Sequence, residues 1–262
     1  MKRALTIAGS DSGGGAGIQA DLKTFAAFSV FGMSAITAVT AQNTLGVSAI
    51  AAIDPEIVRR QIVDVVTDIG VDVIKIGMLF NADIIAAVAE QLQKLPGIPV
   101  VLDPVMRSKG GVRLLQPDAE EVLRTRLLPL CTIVTPNLPE AEALVGHEVD
   151  TREAMQQAAQ EIADQGAQCV LVKGGHLEDA HSPDLLWMPT EHFWLEAERL
   201  QTDQTHGTGC TLSSAIAAGL AREDNLPDAV KKAKNYVTEA IRHAPGLGHG
   251  HGPLQHQWRE NS

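Results

Sequence analysis

The chain has 262 residues, of which 45% are hydrophobic and 3% aromatic. This length and apolar content suffice for a buried core and predict one globular domain spanning residues 1–262. The 21 Lys and Arg against 32 Asp and Glu give a net charge of -11, which, with so few aromatic rings, argues against a nucleic-acid partner.

Three cysteines, Cys131, Cys169 and Cys210, stand far apart without metal-ligand spacing. They predict no disulfide framework and favour a reducing cytoplasm. The first apolar run, residues 4–8, is too short for a signal peptide or a membrane span. We therefore expect a cytoplasmic protein without a membrane partner.

Six short, nearly continuous apolar runs have the character of strands that are covered on both faces. They are residues 5–8, 35–39, 73–76, 100–102, 133–135 and 170–172.

Helical periodicity fills the intervals between these runs. Asp54 and Pro55 start a helix whose apolar stripe (Val58, Ile62, Val65, Val66 and Ile69) ends at Gly70, and Asn81 starts the next. Alternating strands and helices predict an α/β fold with a mainly parallel, doubly wound sheet. Its ligands should bind at the carboxyl edge of that sheet.

The glycine-rich turn of residues 9–17 follows the first predicted strand. It has neither the Gly-Lys-Ser/Thr ending nor the spacing of the standard nucleotide-binding fingerprints. Its backbone N–H groups, Gly9 and Gly15 included, could still surround a small substrate or its phosphate. The alternative is a tight turn that only packs a helix against the sheet.

Polar side chains follow two later strands. Asp103 comes directly after the run 100–102, and Asn137 and Glu140 follow the run 133–135. Carboxylate and amide oxygens in such places suit Mg²⁺, which binds through few protein oxygens plus substrate phosphates. Helix capping by the same acidic residues is the alternative.

The run 170–172 ends in Lys173-Gly174-Gly175-His176. Lys173 would place a positive charge on a nucleotide phosphate, and the glycines would allow close approach. A solvated surface lysine is the alternative.

The most informative segment is residues 205–211, in which Gly207, Thr208, Gly209 and Cys210 lead into a helix of small residues. The two glycines allow a tight turn, and the N–H groups at a helix start attract an anion. The same helix end would favour the thiolate of Cys210, which could then accept a proton from an attacking alcohol. The segment predicts a kinase for a small hydroxyl compound.

Four histidines near the C-terminus, His243, His249, His251 and His256, could suggest a metal site. They lie in a glycine-rich stretch and not on one helix face, so we expect no structural metal there. Cys131 and Cys169 begin apolar strands, where cysteine usually behaves as a small inert hydrophobe.

Together these motifs resemble the hydroxymethylpyrimidine/phosphomethylpyrimidine kinases. The resemblance rests on GSDSGGGAGIQADLKT (9–24), AQNT (41–44), KIGML (75–79), DPVM (103–106), TPNLPEA (135–141), KGGH (173–176) and HGTGCT (206–211), and it extends to residues 248–254. It implies a ribokinase-like fold, a homodimer, and two successive ATP-dependent phosphorylations in thiamine biosynthesis.

The resemblance also implies residue roles. Gln42 would hydrogen-bond the aminopyrimidine, with Asp21 and Met78 lining the same pocket. Lys173 and the turn 207–210 would hold the transferring phosphoryl group, and the acidic residues at the strand ends would organise Mg²⁺. Many relatives in the wider ribokinase group have Asp where this chain has Cys210.

Three other activities are compatible with parts of the sequence. A pyridoxine or pyridoxal kinase would share the fold, and Gln42 separates the two because an amide can pair with an aminopyrimidine edge through both donor and acceptor. A silent pyrimidine sensor is disfavoured by Lys173 and Cys210. A nicotinamide-binding oxidoreductase is disfavoured by the missing fingerprint spacing.

Overall fold

The computed structural model describes residues 1–175, 177 and 182–258. Its strands are β1 (Arg3–Asp11), β2 (Phe31–Asn43), β3 (Gly46–Ala52), β4 (Val73–Ile76), β5 (Val100–Leu102), β6 (Ile133–Val134), β7 (Val170–Lys173), β8 (Asp184–Met188) and β9 (Glu191–Leu195). Its α-helices are α1 (Gly17–Ala27), α2 (Pro55–Asp68), α3 (Ala82–Leu92), α4 (Ala119–Val122), α5 (Leu138–Val145), α6 (Arg152–Asp164), α7 (Thr208–Ala221) and α8 (Leu226–Arg242), with a π turn (Leu123–Leu127) and a 3-10 turn (Leu128–Leu130) after α4.

The strands form one sheet in the order β3-β2-β1-β4-β5-β6-β7-β8-β9. From β2 to β7 every neighbouring pair is parallel, whereas β3 at one edge and β8 and β9 at the other are antiparallel. This mainly parallel sheet with helices on both faces confirms the predicted fold class.

Alternation along the strands divides the core into two layers. Leu5, Ile7 and Ile74 face a cluster covered by α2, α3, α5 and α6, whereas Ala4 and Val73 face a second cluster covered by α1, α7 and α8. Since successive side chains of a strand point to opposite faces, a strand covered on both sides must be apolar throughout. This explains why the central strands were readable from composition.

Local capping fixes the predicted helix starts. The Asp54 side chain accepts a hydrogen bond from Glu56 N with Pro55 at the first helical position, and Asn81 does the same for Ile84 N. One detail of the predicted stripe is wrong: Ile69 is the C-cap of α2 and is 40% exposed, because it follows the last packed turn.

All six predicted strands are present, but β3, β8 and β9 were not predicted. These strands lie at the antiparallel ends of the sheet, and most of their residues outside β8 are partly or fully exposed. A half-exposed edge strand lacks the continuous apolar run that marks a central one. No helix in the described ranges is long and apolar enough to cross a bilayer.

Candidate active site

The carboxyl ends of the parallel strands open onto a cleft of about 1240 Å³. This exceeds the space that one small ligand needs, so donor and acceptor substrates fit together. Every predicted site residue except Asp21 and Gly15 lines it, namely Gly9, Gln42, Met78, Asp103, Asn137, Glu140, Lys173, Gly175, Gly207, Thr208, Gly209 and Cys210.

The start of α7 forms one wall. Gly207 is its N-cap with φ +83°, and a Cβ there would lie 1.8 Å from Gly15 O, so only glycine fits. A Cβ on Gly209 would lie 3.2 Å from Asp103 Oδ2 and 3.3 Å from Lys173 Nζ. The first N–H groups of a helix have no partner within the helix, and here they adjoin a buried ion pair on the cleft wall.

That ion pair joins Lys173 to the acidic residues. Lys173 Nζ lies 2.8 Å from Asp103 Oδ1 and 3.9 Å from Glu140 Oε2. Burial, opposed by Lys173 and reinforced by the charge of Asp103, raises the pKa of Glu140 to about 7. Burial disfavours the charge of Lys173, but Asp103 and Glu140 raise its pKa, so it carries a positive charge beside the helix start, where a phosphoryl group needs it.

Asn137 and Glu140 also cap α5. Glu140 N donates to Asn137 Oδ1 at 2.9 Å, and Asn137 N donates to Glu140 Oε2 at 2.8 Å. The capping alternative therefore holds for these two residues, but not for Asp103, which pairs with Lys173. Glu140 therefore both caps α5 and belongs to the lining of the cleft.

The thiol of Cys210 differs from its expected state. Burial, together with the negative charges of Asp21 and Asp103, raises its pKa to about 11, although Lys75 and a Gly17 N–H act in the opposite direction. The prediction of a thiolate at Cys210 is therefore wrong, because desolvation has the largest effect on its pKa.

Asp21 does not line the substrate pocket as the resemblance implies. It is fully buried, and both of its carboxylate oxygens lie 2.9 Å from Lys75 Nζ. Thr6 Oγ1 and Ser214 Oγ donate to it as well, at 2.6 and 2.7 Å. Asp21 instead supports Lys75, which lines the cleft from β4.

The sequence did not single out Lys75 as a site residue. Although burial disfavours its charge, Asp21, Cys210 and Asp103 raise its pKa, so it is an ammonium. The signal was a charged residue in an otherwise apolar run that should be covered on both faces.

Three N–H groups of the glycine-rich turn bind a side chain of the same turn. The N–H groups of Gly13, Gly15 and Ala16 donate to the carboxylate of Asp11 at 2.8 to 3.0 Å. His206 Nε2 lies 2.9 Å from the same group. Gly15 is buried and is absent from the cleft lining, and its N–H already donates to Asp11.

Asp11 is an internal anion of this turn. Burial alone would raise its pKa, but His206 and the backbone N–H groups hold it below the usual range. Gln42 stands beside this pair, with Nε2 3.4 Å from His206 Nε2 and Oε1 accepting from Thr40 Oγ1 at 3.0 Å. Its amide is therefore held at the cleft edge.

Residues 248–254 tie this region together. His251 N donates to Thr44 O at 2.9 Å, next to Gln42 on the β2–β3 turn, and His206 N donates to Gly252 O at 3.0 Å. The segment thus connects the turn after Gln42 to the residue before the helix start of α7.

At the other end of the cleft, Lys234 of α8 pairs with Asp184 at 2.6 Å, and Asp184 accepts from Gly174 N. A Cβ on Gly174 would lie 1.9 Å from Pro183 O, which explains the glycine. His176 of the predicted motif lies outside the described residues.

The candidate histidine metal site has other partners. His256 Nε2 lies within hydrogen-bond distance of Thr211 Oγ1, at 3.0 Å, and burial lowers the pKa of His256 to about 4. His243 stacks on Trp258. In the described ranges, no three His, Cys, Asp or Glu side chains gather as a metal cluster.

A doubly wound sheet with a two-substrate cleft, an open helix start and a lysine beside it defines a small-molecule phosphotransferase. Residues 11–255 match the phosphomethylpyrimidine kinase family. The chain belongs to this family of kinases.

Individual relatives agree. The chain is 50% identical over 260 residues to the Haemophilus influenzae hydroxymethylpyrimidine/phosphomethylpyrimidine kinase, covering 98% of this chain and 97% of that one. It is 50% identical over 252 residues to the Geobacter sulfurreducens thiamine biosynthesis bifunctional protein ThiED, covering 96% of this chain but 51% of that protein. A Bacillus subtilis pyridoxal kinase, solved as an ADP complex, superposes with a TM-score of 0.92 at 39% identity and full coverage of both chains.

Proposed function

We propose that this chain phosphorylates 4-amino-5-hydroxymethyl-2-methylpyrimidine with ATP, first to the monophosphate and then to the diphosphate, for thiamine biosynthesis. The observation that carries the proposal is the open start of α7 facing the Lys173–Asp103 pair, with Gln42 and Met78 lining the same cleft. The family membership gives the two acceptors, and the ADP complex of the pyridoxal kinase relative supports a nucleotide donor.

The proposed donor site lies between Lys173 and the turn of Gly207, Thr208, Gly209 and Cys210. Phosphoryl transfer depends mainly on holding the two oxygens in line and on neutralising charge. The helix start and the Lys173 ammonium supply that neutralisation, and Gly175 allows the nucleotide phosphates to approach closely. We place the ATP phosphates here.

Asp103 and Glu140 would hold Mg²⁺, with Asn137 as a further oxygen ligand. Two carboxylates suit this cation, which binds through one or two carboxylates plus substrate phosphates. When bound, it neutralises the charge of the transferring phosphates.

Acceptor chemistry differs between the two steps. In the first, the hydroxymethyl oxygen bonds to the γ-phosphorus while the bond to the bridging oxygen breaks, ADP leaves, and the hydroxyl proton passes to the thiolate form of Cys210. In the second, the attacking oxygen belongs to a phosphate and is already anionic. Because the thiol is mostly protonated at neutral pH, we assign Cys210 a modest share as base and a further share in shaping the anion site.

The test is ADP release by the purified protein with ATP and Mg²⁺, offering hydroxymethylpyrimidine and pyridoxine in parallel and resolving the products by mass. Monophosphate followed by diphosphate from the pyrimidine is the expected result. Turnover of pyridoxine alone would instead assign the protein to vitamin B6 salvage. The similarity to a pyridoxal kinase makes this the second candidate function.

We further propose a single kinase domain of residues 1–262 acting in the cytoplasm as a homodimer. The one continuous sheet supports the domain, and the family resemblance supports the dimer. Light scattering on the eluting protein would give its mass relative to the 27.9 kDa of one chain.

A further inference from the structure

The loop of residues 107–113, called here the cationic loop, lines the cleft through Arg107, Lys109 and Arg113. Its backbone is closed on itself, since Ser108 N donates to Val112 O at 2.8 Å and Gly111 N donates to Ser108 O at 2.9 Å. Lys109 thus lies inside a tight turn whose conformation is fixed by its own hydrogen bonds.

The loop carries positive charge without matching negative charge. Arg113 pairs with Glu120 at 3.2 Å, but Arg107 and Lys109 have no carboxylate partner among the described residues. Arg107 and Arg113 are moreover opposite each other in an antiparallel bridge. Like charges placed directly opposite destabilise such a pair, so an anion bound here would relieve repulsion.

Other lysines of the cleft are already neutralised. Lys75 pairs with Asp21, Lys173 with Asp103, and Lys234 with Asp184. In a chain of net charge -11, two uncommitted cations on one cleft loop are therefore distinctive. Lys109 is exposed at the surface of the loop, and the desolvation that it does undergo lowers its pKa, as expected for an ammonium that lacks an anion.

The position of the loop indicates which substrate it meets. Leu114, directly after the loop, shares a cluster with Met78 and Ala38 on the proposed acceptor side of the cleft. Gly110 lies toward Leu45, in the turn that follows Gln42. The proposed donor site is formed by other elements, the end of β7 and the start of α7.

We propose that Arg107 and Lys109 bind the phosphate of the monophosphate acceptor in the second phosphorylation. The inference rests on the proposed two-step activity and names residues that distinguish its steps. The alcohol is neutral, whereas its phosphate ester carries about 1.5 to 2 negative charges at neutral pH. In the glycine-rich turn, three N–H groups that could bind a phosphate already donate to Asp11.

The experiment compares kcat/KM for the alcohol and for the monophosphate, each offered separately with saturating ATP, in Arg107→Gln, Lys109→Gln and the double variant. Lys231→Gln, which removes one charge from an exposed residue of α8 outside the cleft, is the control. We expect each single variant to lose about tenfold on the monophosphate, equivalent to about 1.4 kcal/mol. This loss should appear mainly in KM.

Loss on the alcohol should stay within about threefold, because charged contacts at an exposed loop have little effect on a neutral acceptor. Raising KCl should increase KM for the monophosphate in the parent protein and less steeply in the double variant. Equal losses on both acceptors, a rise in KM for ATP, or an unchanged monophosphate KM would each overturn the inference. If the parent protein phosphorylates neither compound, the proposed function itself fails.

Discussion

Lys75→Met should destabilise the protein strongly, because it leaves the carboxylate of Asp21 buried without a positive charge. Both side chains are fully buried, and the ammonium lies 2.9 Å from each carboxylate oxygen. Breaking such a pair from one side costs about 3–5 kcal/mol. For a chain of this size, each kcal/mol lowers Tm by about 2–4 °C, so we expect a fall of about 10 °C.

Matched variants distinguish the effect of the Lys75–Asp21 ion pair from the effect of side-chain packing. Lys75→Met/Asp21→Asn removes both charges. The amide oxygen still accepts from one of the hydroxyls of Thr6 and Ser214, and the amide NH2 can donate to the other, so much of the stability should return. Lys232→Met breaks an ion pair to Asp224 in which the lysine is 57% exposed, and it should cost at most about 1 kcal/mol.

Calorimetry at pH 7 gives Tm for the four proteins and the parent, including Asp21→Asn alone. Losses that simply add in the double variant would refute the reasoning, since coupling between contacting charges must be non-additive. A Lys75→Met protein as stable as Lys232→Met would refute it as well.

Three further outcomes are expected. Cys210→Ala should slow the first phosphorylation more than the second in single-turnover assays, whereas equal losses would assign the thiol only to the anion site. Gly207→Ala should lower both Tm and activity far more than Gly97→Ala, because both glycines have positive φ but only the first would place a Cβ against backbone, at 1.8 Å; equal effects would show that φ alone matters. Since its pKa is raised to about 7, Glu140 binds a proton more tightly in the folded than in the unfolded state, so its contribution to stability falls as pH rises from about 4.5 to 7. Over the same range ionisation should lower the apparent KM for Mg²⁺, and Glu140→Gln should flatten both dependences; a parent KM for Mg²⁺ that does not change with pH would contradict this.

Features encoded by neighbouring residues were predictable from the sequence. The central strands follow from apolar runs, and Asp54 and Asn81 cap the helices that they were expected to cap. The strand-end placement of Asp103 and Lys173 also follows from the parallel topology, which brings these residues to one edge.

Features that depend on long-range pairing were not predictable. Asp21 and Lys75 are 54 residues apart, and Asp11 and His206 are 195 residues apart. The neighbouring sequence does not indicate that a carboxylate will pair with a cation far along the chain or accept hydrogen bonds from its own turn. The prediction of a thiolate at Cys210 was wrong for a related reason. The sequence shows that the cysteine lies at a helix start, but it does not show how deeply the thiol is buried.

The hydrogen bonds that join residues 248–254 to Thr44 and His206 have a consequence for the biosynthesis of the chain. A ribosome makes this segment after every other residue of the site, so the nascent chain can form its sheet before the β2–β3 turn is fastened to the start of α7. We expect catalytic competence to arise only once residues 248–254 have been made and bound, after most of the core has condensed.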